Sequence, residues 1–92
     1  MTPLPDHDAL TALLNGTVGE PLMVANEFAD VEVRRVNTRN GTRLLVYSRR
    51  SGRWISLDAL EVEALTWQNP RTLEAMVGNA NAPLIPDPDE EP

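Results

Sequence analysis

Ninety-two residues carrying 41% hydrophobic and 24% charged side chains fit one globular domain and exclude a chain disordered throughout. No apolar run approaches 18 residues and no basic-plus-apolar leader opens the chain, so the expectation is a cytoplasmic protein with no membrane partner. Zero cysteines remove disulfides, thiolate metal sites and a cysteine nucleophile together. The chain is also too short for the several βαβ units, each about 30 residues, of a dinucleotide-binding fold.

The net charge of −6 conceals a segregation. All eight basic residues are arginines, and seven of them (Arg34, Arg35, Arg39, Arg43, Arg49, Arg50 and Arg53) lie in a stretch free of carboxylates. Such a patch suits an acidic partner or a phosphate backbone. GC-rich codon usage and solvated strand positions explain it equally simply, and the negative total opposes nonspecific nucleic-acid binding.

In chain order, Asp6 or Asp8 can cap a short helix bearing Ala9, Leu10, Leu13 and Leu14, closed by Asn15-Gly16. This N-terminal segment is assigned residues 1–20. A single α+β domain follows over 21–82, then a disordered, acidic, proline-rich tail over 83–92. A first strand is predicted at Leu22 to Asn26. Asn40-Gly41 and Ser51-Gly52 then read as the central pairs of two hairpins, making a meander of three to four strands.

That register places Val31, Val33, Leu44, Val46, Ile55 and Leu57 on one face. The other face carries Arg34, Val36, Arg43, Leu45, Tyr47, Arg49, Trp54 and Ser56, with Arg34 across from Tyr47 and Arg49 across from Trp54. Two helices should follow. One is capped by Asp58-x-x-Glu61 with a stripe of Leu60, Ala64 and Trp67; the other opens at Asn69-Pro70 and stops at Gly78. Packed on the aliphatic face, they would complete a small antiparallel meander with short helices on one side.

Arg34, Arg43, Leu45, Tyr47, Arg49 and Trp54 would then stand exposed. Arginine and aromatic residues dominate interface hot spots, so this set is the predicted partner-binding face, for a larger protein or for a second copy in a symmetric dimer. A sheet of arginines and aromatics could also stack single-stranded bases. Catalytic candidates are poor. His7 is the sole histidine, Asp58, Glu61 and Glu63 have capping and solvation roles, and the serines lack a nearby base. The scattered glycines form no phosphate-cradling loop. Neither a catalytic residue nor a cofactor or metal site is predicted.

The runs Val24-Ala-Asn-Glu-Phe-Ala-Asp-Val-Glu-Val-Arg-Arg35, Thr38-Arg-Asn-Gly-Thr-Arg43 and Leu57-Asp-Ala-Leu-Glu-Val-Glu-Ala-Leu-Thr-Trp-Gln68 resemble short actinobacterial proteins labelled "dihydrodiol dehydrogenase". The resemblance covers about residues 22–78. It implies a setting in aromatic-compound catabolism, where a dehydrogenase oxidises the cis-diol made by a ring-hydroxylating oxygenase. The chain departs from that activity, with no glycine fingerprint and no Tyr-x-x-x-Lys pair, since it has no lysine. What the resemblance implies is a small non-catalytic accessory protein or extra subunit, bound to a larger enzyme such as an oxygenase component. The alternative is a regulatory or nucleic-acid-binding module using the arginine-rich hairpins.

Overall fold

A computed structural model of the chain describes residues 7–78 together with Pro83 and Ile85. In order the elements are α1 (His7–Asn15), β1 (Thr17–Ala25), β2 (Asp30–Thr38), β3 (Gly41–Ser48), β4 (Trp54–Leu57), α2 (Ala59–Leu65) and α3 (Pro70–Gly78). The strands make one antiparallel sheet in the order β1-β2-β3-β4, the small α+β meander that the turn signals predict. Asp6, one candidate cap for α1, and the expected tail, apart from Pro83 and Ile85, lie outside the described residues.

Both hairpins exist, each with its register displaced by two. Val33 faces Val46 and Asn37 faces Thr42, while Leu44 faces Leu57 and Tyr47 faces Trp54. The cause is turn chemistry. Among the described residues no non-glycine has positive φ, and in the first hairpin the positive φ, 119°, falls at Gly41. Arg39 and Asn40 therefore form the bend, with glycine after it, where a type I′ turn would need positive φ at both central residues. The second loop takes four residues between Ser48 and Arg53, whose backbones meet at 2.8 Å. Side chains alternate with a period of two, so a two-residue displacement leaves every one on its predicted face.

The cross-strand pairings do change. Arg34 stands opposite Leu45, and Tyr47 lies between Glu32 and Trp54. The predicted Arg34–Tyr47 and Arg49–Trp54 pairs are not the register neighbours.

Which face is covered is also reversed. Val36 and Leu45 are fully buried and Leu10 of α1 nearly so, with Leu13, Leu14, Tyr47 and Trp54 packed against them. A short link dictates this. Only Gly16 separates α1 from β1, the Asn37 N–H donates to its carbonyl at 2.8 Å, and a Cβ there would run into the Asn37 carbonyl. Thr17 Oγ1 ties back to the Leu14 carbonyl at 2.6 Å. The helix is thus turned back over β2, and its leucine stripe falls on the side of Val36. Since α1 supplies core and β1 starts at Thr17, the expected boundary at residue 20 cuts through one packed unit.

The aliphatic face lacks the expected double-helix cover. Leu22, Val24 and Ile55 are exposed on it, and Val31, Val33, Leu44, Val46 and Leu57 are half-buried. Of the two later helices, α2 rests on β3 and β4, whereas α3 makes no more than marginal contact with any element. The first opens as predicted, on a reciprocal capping box between Asp58 and Glu61. It ends at Leu65, which leaves Trp67 beyond it and 80% exposed.

Candidate protein-docking site

The residues expected to form a binding face are mostly interior or internally bonded. Leu45 is fully buried, and Tyr47 and Trp54 are half-buried against the core. Arg34 Nε donates to Glu32 Oε2 at 2.9 Å and its Nη1 to Thr17 Oγ1 at 3.3 Å. The Arg43 guanidinium donates to Ser56 Oγ at 2.6 Å and to the Ser56 carbonyl at 3.0 Å, with Glu61 at 3.7 Å. The hydrogen bond from Arg34 holds the Glu32 carboxyl below its ordinary value near 4.5; desolvation opposes it, and the charges of Arg34 and Arg49 add to it. Of the six predicted residues, only Arg49 stands exposed.

Arg49 belongs to a different arrangement. In an antiparallel meander the β1–β2 and β3–β4 connections share one end of the sheet, and here they are tied together. Arg50 Nη1 donates to the Phe28 carbonyl at 3.1 Å, and the Arg49 N–H reaches the Asp30 carbonyl at 3.4 Å. The first loop is held internally by Asn26, whose Oδ1 accepts from the N–H of Phe28 at 2.8 Å and of Ala29 at 2.9 Å. Its own N–H donates to the Ala29 carbonyl at 2.9 Å. The second loop is closed by Gly52 N–H to the Ser48 carbonyl at 2.9 Å and by Ser51 Oγ accepting from Arg53 N–H at 3.2 Å.

These bonds present Phe28, the sole phenylalanine, 78% exposed. Arg49, Arg50 and Arg53 are exposed in the neighbouring loop, against one exposed carboxylate, Glu27. A fixed aromatic among arginines is the composition of an interface hot spot. Loops already ordered by their own hydrogen bonds lose less entropy on binding. Phe28 escapes sequence reading because it lies in a loop outside any hydrophobic period. The available signal was Asn26, a residue that bonds the backbone two or three positions on.

At the opposite end, α2 and the aliphatic face enclose an open groove of about 390 Å³, floored by Leu44, Leu57 and Val62 and edged by Arg35 and Glu63. Among the described residues no three of His, Cys, Asp and Glu gather as a metal-ligand set, and no helix is long and apolar enough to cross a membrane. Comparison with protein-family models, with curated proteins and with solved structures finds no match.

Proposed function

We propose that this protein acts by binding and not by catalysis, as a small cytoplasmic accessory protein or extra subunit that docks a larger protein through the Phe28–arginine tip. The observation that carries this reading is the pair of cross-tied loops holding an exposed phenylalanine among Arg49, Arg50 and Arg53. The partner surface it suits is an apolar pocket edged by carboxylates, because a buried ring contributes area and rim charges contribute specificity. The resemblance over residues 22–78 makes an oxygenase component of aromatic-compound catabolism the first candidate.

The test is a titration of labelled protein with purified ring-hydroxylating oxygenase components at physiological salt. Saturable binding is expected, and Phe28→Ala should weaken it by about 2 kcal/mol, near thirtyfold, as at a hot spot. Equal binding by the variant removes the tip from the interface. Tight binding of single-stranded DNA that falls steeply with salt would replace the accessory reading with a nucleic-acid one.

A further inference from the structure

The sequence contains two asparagine–glycine pairs, Asn15-Gly16 and Asn40-Gly41. A glycine after asparagine leaves its peptide nitrogen unshielded by a Cβ, so that nitrogen can reach Cγ, the asparagine side-chain carbonyl carbon. Among the described residues neither carboxamide has a hydrogen-bond partner. The two pairs differ in the backbone that would have to move.

Asn15 is the last residue of α1. The Gly16 N–H donates to the Leu13 carbonyl at 3.0 Å, and the Gly16 carbonyl accepts from the Asn37 N–H at 2.8 Å. The Asn37 carbonyl occupies the place a Gly16 Cβ would take. Bringing the Gly16 nitrogen onto Asn15 Cγ would turn the Asn15 backbone out of the helical range, break both bonds and prise α1 from β2. Since Leu10 of α1 completes the core, that motion approaches global unfolding.

Asn40-Gly41 sits at the β2–β3 turn. Both residues are exposed, and nothing stands within 4 Å of where a Gly41 Cβ would be. The bend is held by exposed local bonds. Thr38 Oγ1 donates to the Gly41 carbonyl at 2.8 Å and accepts from the Asn40 N–H at 3.3 Å. Opening the tip parts the terminal ladder pair, Thr38 with Gly41, and leaves the pairs beyond it in place. Exposed turn tips open at the low end of the free-energy range.

We propose that Asn40 is a site of spontaneous backbone modification, converted through a cyclic imide to aspartate and isoaspartate while Asn15 is spared. The Gly41 nitrogen bonds to Asn40 Cγ, the Cγ–Nδ2 bond breaks, and ammonia leaves carrying the proton from the Gly41 nitrogen. Water then opens the imide: its hydroxyl adds to one of the two ring carbonyl carbons and its proton returns to the nitrogen. Attack at Cγ gives aspartate. Attack at the main-chain carbonyl carbon gives isoaspartate, whose main chain runs through Cβ and Cγ. Either product carries a carboxylate that is ionised at neutral pH, next in sequence to Arg39. Isoaspartate also lengthens a two-residue bend whose geometry sets the strand register. The strain falls on β2 and β3, the strands that carry the buried Val36 and Leu45. The meander thus holds an ageing site at the end away from the Phe28 tip.

The test incubates the full chain, folded and in guanidinium chloride, in mildly alkaline buffer, then cleaves it after arginine at mildly acidic pH. Arg34, Arg35 and Arg39 separate Asn15 from Asn40 in the digest. In the folded chain the Asn40 peptide should gain one mass unit and accept a methyl group from an isoaspartyl methyltransferase, at least tenfold faster than the Asn15 peptide. In denaturant the two rates should converge. Asn40→Gln should abolish the fast conversion with unchanged circular dichroism, because the larger ring closes far more slowly. Isoaspartate-enriched protein should melt below Asn40→Asp, which gains the charge without the longer backbone. Equal rates at the two asparagines in the folded chain overturn the inference. So does a folded chain in which Asn40 stays intact for the time that converts it in denaturant.

Discussion

At the residue scale, the core is smaller and elsewhere than a count of aliphatic side chains suggests. Val36 and Leu45 are enclosed beneath α1, whereas Ile55 is 54% exposed. Leu45→Ala should therefore cost about 2–4 kcal/mol through lost transfer energy and a cavity, and Ile55→Ala in dilute protein should stay within about 1 kcal/mol. Urea unfolding measures both; equal losses would mean the outer face is the real core. Glu32 gives a second residue-scale expectation. Its carboxyl is held below the ordinary value near 4.5, mainly by the Arg34 hydrogen bond. A lowered folded value means that the pair stabilises the fold fully above the unfolded value, and that this contribution fades as pH falls through the folded one. Glu32→Gln should be less stable than the native chain at pH 7, and the gap should narrow steadily on acidification below pH 4.5. Urea midpoints between pH 7 and pH 3 follow it, and a gap independent of pH would show that Glu32 acts through packing alone.

At the element scale, α2 depends on its first turn. Asp58 Oδ1 accepts from the Glu61 N–H at 2.8 Å, and Glu61 Oε1 accepts in return from the Asp58 N–H at 2.9 Å. Asp58→Ala should cost about 1 kcal/mol, visible as a lower thermal midpoint, while Asp58→Ser should keep most of it. The sequence declared this box, the Asn69-Pro70 opening of α3 and both hairpins, because each follows from local backbone chemistry. It placed the strands' side chains on the right faces as well, since an error of two in register preserves alternation. What it did not declare is which face α1 would cover. That depends on one glycine pressed against the Asn37 carbonyl, a contact between residues 21 positions apart. Two arginines also made the buried face look solvated. Arg34 and Arg43 are satisfied by Glu32 and Ser56, and neither partner is adjacent to its arginine in sequence.

At the scale of the whole molecule, the meander separates its surfaces. Among the described residues, one side of the sheet is closed by α1, the other is open beyond α2, and the loops carrying Phe28 and three arginines share one end. The proposed docking tip and the open aliphatic side thus lie on separate parts of the surface. The face expected to stand exposed is enclosed instead, for a reason of scale: its aromatic residues are the bulkiest in the sheet, and bulk that can be enclosed goes to the core.

The irregularity in β1 has a consequence for solubility. Thr17 and Val18 pair with Val36 and Arg35, pairing resumes only at Leu22 with Val33, and the three residues between include Gly19, at φ 79°, and Pro21. β1 and β4 are the two edges of the sheet, and proline offers no N–H to a newcomer. Beyond the irregularity only Leu22 to Ala25 continue the ladder, and β4 is itself four residues long. Fibril-forming segments need about six or seven uninterrupted residues. A sheet that exposes Leu22, Met23, Val24 and Ile55 would otherwise invite endless strand-by-strand growth; its frayed borders deny that growth a template.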